Sequence, residues 1–148
     1  MDGFSCSTER LTSGCCDQLR QAPPLTTLWR ITMKNPPAFQ QEKASCLEAC
    51  MQCHRICLQT ALNHCLEAGG KHVEPDHYRL MVSCAEICQT SANFQLGSSP
   101  FSAQVCGVCA QVCLACAESC KKIGGMDECV AACEQCAQTC SKMAKSVH

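Results

Sequence analysis

The stretch CGVCAQVCLACAESC, residues 106–120, sets five cysteines at gaps of three, four, three and four. At about 100° per residue, those gaps hold a side chain on one stripe of an α-helix. The intervening Ala, Val, Leu, Gln and Glu suit a helix, proline is absent, and the single glycine adjoins the first cysteine. The same CxxxC spacing recurs in CLEACMQCHRIC, CAEIC and CVAACEQCAQTC. Cys46, Cys50, Cys53 and Cys57 therefore share one stripe, and Cys84 and Cys88 a second. Cys106, Cys109, Cys113, Cys116 and Cys120 form a third, and Cys129, Cys133, Cys136 and Cys140 a fourth. Cys65 lies about a quarter-turn off the first stripe. One motif is used four times.

Loop signals divide the cysteine-rich region, residues 39–148, into four helices. Gly69-Gly70, Pro75, the run LGSSP and Gly124-Gly125 bound segments at about 41–68, 75–95, 101–122 and 126–144. Short connections imply antiparallel neighbours, so the expected fold is all-α, an up-down four-helix bundle with a cysteine-lined core. Residues 1–38 carry Pro23-Pro24 and Pro36-Pro37 and no helical period. They read as an irregular N-terminal extension with at most a short helix around residues 15–21. Its Cys6, Cys15 and Cys16 share no spacing with the rest, and Met33 is a candidate natural start.

Composition narrows what such a core can do. The hydrophobic fraction is 47%, but 19 of those residues are cysteine and aromatics make up only 4%. Ordinary side-chain packing therefore does not fill the middle. A formal charge of −1 gives no sign of nucleic-acid binding. The N-terminus lacks a basic region followed by an apolar one, and no stretch is expected to approach the length of a transmembrane helix. The expected location is the cytosol, where dense cysteine points to metal or redox chemistry rather than disulfide staples.

Small buried hydrophobes explain one or two cysteines, not fifteen in register, since Ala, Val or Leu would pack as well without the oxidation risk. Residues at i and i+4 have Cβ atoms about 5–6 Å apart, too far for a disulfide, which wants about 3.5–4.5 Å. A linear S–M–S unit separates its sulfurs by a little over ~4 Å, which modest rotation reaches. Zinc tetrathiolates stacked on a dry axis would each carry uncompensated charge, whereas Cu(I) at about one per thiolate leaves the core neutral. Iron–sulfur runs and a βαβ thioredoxin setting are absent, and no single thiol stands beside a base, so no enzyme is expected.

Residues from about 45 to 143 resemble the bacterial copper storage proteins, cytosolic branch. The matching stretches are CLEACMQCHRIC, GGKHVEPDHYRLMVSCAEICQTSANF, CGVCAQVCLACAESC and ECVAACEQCAQTCSKMA, roughly two-thirds of the chain. The resemblance implies a homotetramer of bundles that are folded before metal arrives, each storing many Cu(I) ions on inward thiolates. Carried over residue by residue, the ligands are Cys46, Cys50, Cys53, Cys57, Cys65, Cys84, Cys88, Cys106, Cys109, Cys113, Cys116, Cys120, Cys129, Cys133, Cys136 and Cys140. It also implies an entrance lined by His or Met at one bundle end, here near loops 66–76 and 121–128. The candidates are His77 and Met81 on the second stripe, Met126 one turn before Cys129, and His64 on the first stripe by period. Relatives often carry histidines before the last helix, where this chain has GGMDEC. For each of the four candidates a core or capping role competes with a ligand role. His54, His72 and His148 read as solvated, and Phe94, Leu96 and Phe101 as an apolar plug at the opposite end.

The expected function is cytosolic storage or buffering of Cu(I), with copper donor or acceptor proteins as partners. A zinc-thiolate reservoir and a thiol redox buffer or sensor remain the alternatives. A metallochaperone passing on one or two ions needs few cysteines.

Overall fold

A computed structural model describes residues 38–146. The extension with its expected helix at 15–21, Cys6, Cys15, Cys16 and Met33 lies outside the described residues, as does His148. Four long helices carry the fold: α1 (Ala38–Gln59), α2 (Pro75–Leu96), α3 (Ser102–Ile123) and α4 (Asp127–Lys145). Beyond α1 the chain continues through a π-helical segment, Thr60–Cys65, and a closing turn, Leu66–Ala68. A short 3₁₀ turn, Gly70–Val73, then leads to α2. No strand occurs among the described residues. α1 packs on α2, α2 on α3, α3 on α4, and α4 closes against α1. The fold is the expected antiparallel four-helix bundle.

The ends follow local chemistry. Gly69 (φ +64°) and Gly124 (φ +87°) take backbone angles that a side chain would strain. Their N–H groups return to the carbonyls of Cys65 and Cys120 at 3.0 and 2.9 Å. Pro75 opens α2 with Asp76 behind it. Asp127 and Glu128 start α4 and Lys142 and Lys145 end it, which matches the helix dipole.

The interior is built from cysteine and alanine. Ala103, Ala110 and Ala117 line α3 at intervals of seven, and Ala85 and Ala92 do the same on α2. Such small residues let helix backbones approach closely, so four rows of short side chains meet at the axis. The larger buried apolar side chains among the described residues are Ile56, Met81, Met126 and Met143.

The π-helical segment corrects one expectation and explains another. A π turn inserts one extra residue, so the eight steps from Cys57 to Cys65 turn about as far as seven α-helical steps. Cys65 comes back onto the stripe and is fully buried. His64, expected on that stripe, is rotated off it and exposed. The widened turn frees the Gln59 carbonyl, which accepts a bond from the Asn63 amide at 2.9 Å. Deleting Asn63 is expected to restore a regular helix while keeping Cys65 in the core, since seven α-helical steps also reach the stripe. Alkylation of the folded variant checks this: rapid modification of Cys65 would contradict it.

α3 corrects a second expectation. Its mean hydropathy of 1.4 over 18 residues makes it long and apolar enough, by length and composition, to cross a membrane. Val105, Val108, Val112 and Leu114 add to that value beside cysteine and alanine, and the cysteine row is buried against α2 and α4.

Candidate metal centre

All sixteen cysteines of the described bundle are buried free thiols. The four stripes face one axis and interleave, so the shortest sulfur contacts run between helices. Cys50–Cys140, Cys57–Cys129, Cys57–Cys133 and Cys88–Cys113 lie 3.4 Å apart. The pairs at i and i+4 are longer: Cys53–Cys57 at 3.8 Å, Cys109–Cys113 at 3.9 Å and Cys136–Cys140 at 4.0 Å. Sequence reasoning found the pairs within helices and missed the tighter ones between them.

The contacts join into one path. Cys120 leads to Cys129 (3.9 Å), Cys57 (3.4 Å) and Cys84 (3.8 Å). From Cys84 it passes to Cys113 (3.7 Å), Cys88 (3.4 Å) and Cys136 (3.8 Å). Cys50 (3.7 Å), Cys140 (3.4 Å) and Cys46 (3.5 Å) complete it. Sulfurs converge in sets of four within 4.8 Å, such as Cys50, Cys109, Cys136 and Cys140, or Cys57, Cys116, Cys129 and Cys133. The sets overlap: Cys53 serves two, as do Cys57, Cys133 and Cys136. Shared sulfurs suit bridging thiolates and deny each set an independent tetrahedral ion.

Protons are distributed unevenly along the column. Burial pushes the Cys65 thiol up, with Cys129 and Cys116 adding to it. Hydrogen bonding with Cys113, then with Cys133, holds Cys53 down, while contacts with Cys116 and Cys129 push Cys133 up. One ionised sulfur is stabilised only while its neighbours keep their protons. The whole column ionises only if cations replace the protons.

At the end formed by the two Gly-Gly loops, Met81 Sδ lies 3.3 Å from Cys120 Sγ, 3.5 Å from Cys116 Sγ and 3.9 Å from Cys129 Sγ. Met126 Sδ lies 3.8 Å from Cys65 Sγ. His77 is buried, with Nδ1 2.8 Å from Ser119 Oγ and Nε2 without a partner. Burial lowers its pKa, which favours the neutral ring. The structure thus gathers Met81, Met126 and the cysteines; His64 instead stands edge-on to His72, ring centroids 5.0 Å apart. His72 is half-buried, not solvated. His54 is also half-buried, its Nδ1–H donating to the Ala85 carbonyl at 2.8 Å, which ties α1 to α2.

The opposite end is not an apolar plug. Leu96 and Phe101 are 63% and 61% exposed, because position 96 falls about 120° off the Cys84 stripe. Ser91 and Gln95, on that stripe by period, are fully buried there, and Met143 closes the α4 row. Sequence reasoning missed these three, although steps of seven and eleven from Cys84, and three from Cys140, mark them.

The profile of the copper storage protein family matches residues 39–145. The chain belongs to the copper storage protein family. It is 62% identical to the crystallised Nmul_A1745 protein of Nitrosospira multiformis, at a TM-score of 0.70 over 71% of this chain and 96% of that one. The Cu(I)-bound copper storage protein BsCsp3 superposes with a TM-score of 0.65 at 33% identity, over 70% of this chain and 98% of its own. The apo copper storage protein 3 of Bacillus subtilis matches with a TM-score of 0.57 at 34% identity, over 68% and 97%. A cysteine-rich protein of Bacillus subtilis, YhjQ, is 34% identical over 71 residues, which span 48% of this chain and 65% of that relative.

Proposed function

We propose that this copper storage protein holds many Cu(I) ions on the sulfurs of its bundle axis, as a cytosolic store without a catalytic cycle. The observation that carries this is the overlap of the sulfur sets, in which one thiolate serves neighbouring ions. The sixteen ligands proposed are the bundle cysteines, from Cys46 to Cys140. At about one Cu(I) per thiolate the core is neutral, whereas zinc at four thiolates per ion leaves charge on a dry axis.

At the Gly-Gly end, Met81 and Met126 offer thioethers beside Cys120 and Cys65, and neutral His77 offers a ring nitrogen. They support an entrance at this end. Relatives whose names describe copper storage, including a Cu(I)-bound one, support the choice of metal. Exposed Met51, Val108 and Leu114 offer apolar area to further copies, in keeping with a tetramer.

Each ion displaces thiol protons, so binding tightens as pH rises; Cys65 and Cys133 are among the thiols whose raised pKa values contribute to this. Titrating reduced, anaerobic protein with Cu(I) and with Zn(II) against competing chelators tests the reading. The expected result is tight Cu(I) binding at about one ion per bundle cysteine. Saturation at one or two Cu(I), or tight zinc at about one ion per four cysteines, would sink it.

A further inference from the structure

At the end of the column bearing Cys46, Cys106 and Cys140, an amide and a hydroxyl group close the axis. The Gln95 amide donates to Cys50 Sγ at 3.7 Å and to Ser91 Oγ at 3.3 Å. Ser91 Oγ in turn meets Cys106 Sγ at 3.4 Å. Gln95 Oε1 is buried and has no partner. Outside lies a solvent-open cavity of about 250 Å³, walled by Phe39, Lys43, Gln95, Pro100, Ala103 and Met143. Its rim is held by an exposed bond from Lys43 Nζ to Ser98 Oγ, 3.2 Å, at a residue in the left-handed region (φ +49°).

We propose that this end is a second port, through which Cu(I) enters or leaves in exchange with small anionic thiols, with Gln95 as its gate. The proposal rests on the storage reading. Closed, the gate leaves Oε1 unsatisfied; swung into the cavity, the amide gains water on that oxygen in place of weak bonds to sulfur and hydroxyl. Met143, three residues beyond Cys140 and on the cavity wall, adds a soft thioether at this end. Lys43 at the rim favours an anionic carrier.

Transfer is ligand exchange with no change of oxidation state. The bond from Cu(I) to the carrier sulfur breaks, a bond to a column sulfur forms, and the column thiol's proton passes to the departing carrier thiolate. The path of sulfurs then joins thioether-bearing ends, Met81 and Met126 at one and Met143 at the other.

Pulse alkylation of the reduced apo protein with iodoacetamide, mapped by peptide mass spectrometry and normalised to denatured protein, tests the port. Cys46, Cys106 and Cys140 are expected to react about as fast as Cys120, with Cys53, Cys84 and Cys113 far behind. Gln95→Ala should speed the first three roughly tenfold and leave Cys120 unchanged. Gln95→Asn, which keeps an amide on a shorter arm, should move them the same way if the alanine variant folds poorly. Far-end thiols reacting no faster than the central ones, or sixteen thiols accelerated together by either variant, overturns the port. A Cu(I) titration of the same samples separates the two ideas. Full capacity with a slow far end removes only the port, and lost wild-type capacity removes the storage reading with it.

Discussion

Loading the reduced protein with Cu(I) raises its unfolding midpoint by at least about 20 °C while its far-UV circular dichroism hardly changes. An ion that binds only the native column stabilises it by about 2.7 kcal/mol at a hundredfold excess over Kd. Several such ions together exceed the stability of an ordinary domain, and each kcal/mol moves the midpoint of one this size by several degrees. The spectrum stays because helix formation does not depend on metal. Alanine rows, glycine-terminated helix ends and dipole-matched charges are in place without it. Thermal melts of apo and loaded protein decide the matter. A coil-like apo spectrum would show instead that the chain folds around its metal, and an unmoved midpoint that the column does not hold the ion.

Cys133→Ala lowers Cu(I) capacity by about two ions or more, whereas Cys65→Ala lowers it by at most about one. Cys133 lies 3.4 Å from Cys57 and 3.8 Å from both Cys53 and Cys84, and it serves two overlapping sulfur sets. A bridging thiolate removed there deprives more than one ion of a ligand. Cys65 belongs to none of these sets, and its sulfur neighbour is the Met126 thioether. Both variants should retain their helicity, because losing one buried sulfur costs only about 1–2 kcal/mol. Titration against a chelator reads the capacities. Equal losses at the two positions would mean that the ions sit in separate sites rather than in a shared cluster.

Much of the bundle was legible because helical period is local. Gaps of three and four put each cysteine row on a stripe, and glycine and proline signals marked the helix ends within a few residues. The same arithmetic failed where the helix departs from 3.6 residues per turn. The π segment Thr60–Cys65 exchanges the places of His64 and Cys65, and the short motif around them carries no mark of it. At the far end, aromatic and aliphatic side chains suggested a plug, yet Leu96 and Phe101 point outward. Their positions off the stripe were computable. Ser91 and Gln95 were passed over because a polar residue among thiols was not expected inside.

The sequence alone determined that four helices would turn cysteine toward one axis, since facing depends only on residues a turn apart. The tertiary structure decided which sulfurs meet. Contacts of 3.4 Å between Cys57 and Cys129, or Cys88 and Cys113, depend on how far each helix slides along its neighbour. That slide is set by alanine contacts and loop geometry spread over the whole bundle, which no single motif encodes.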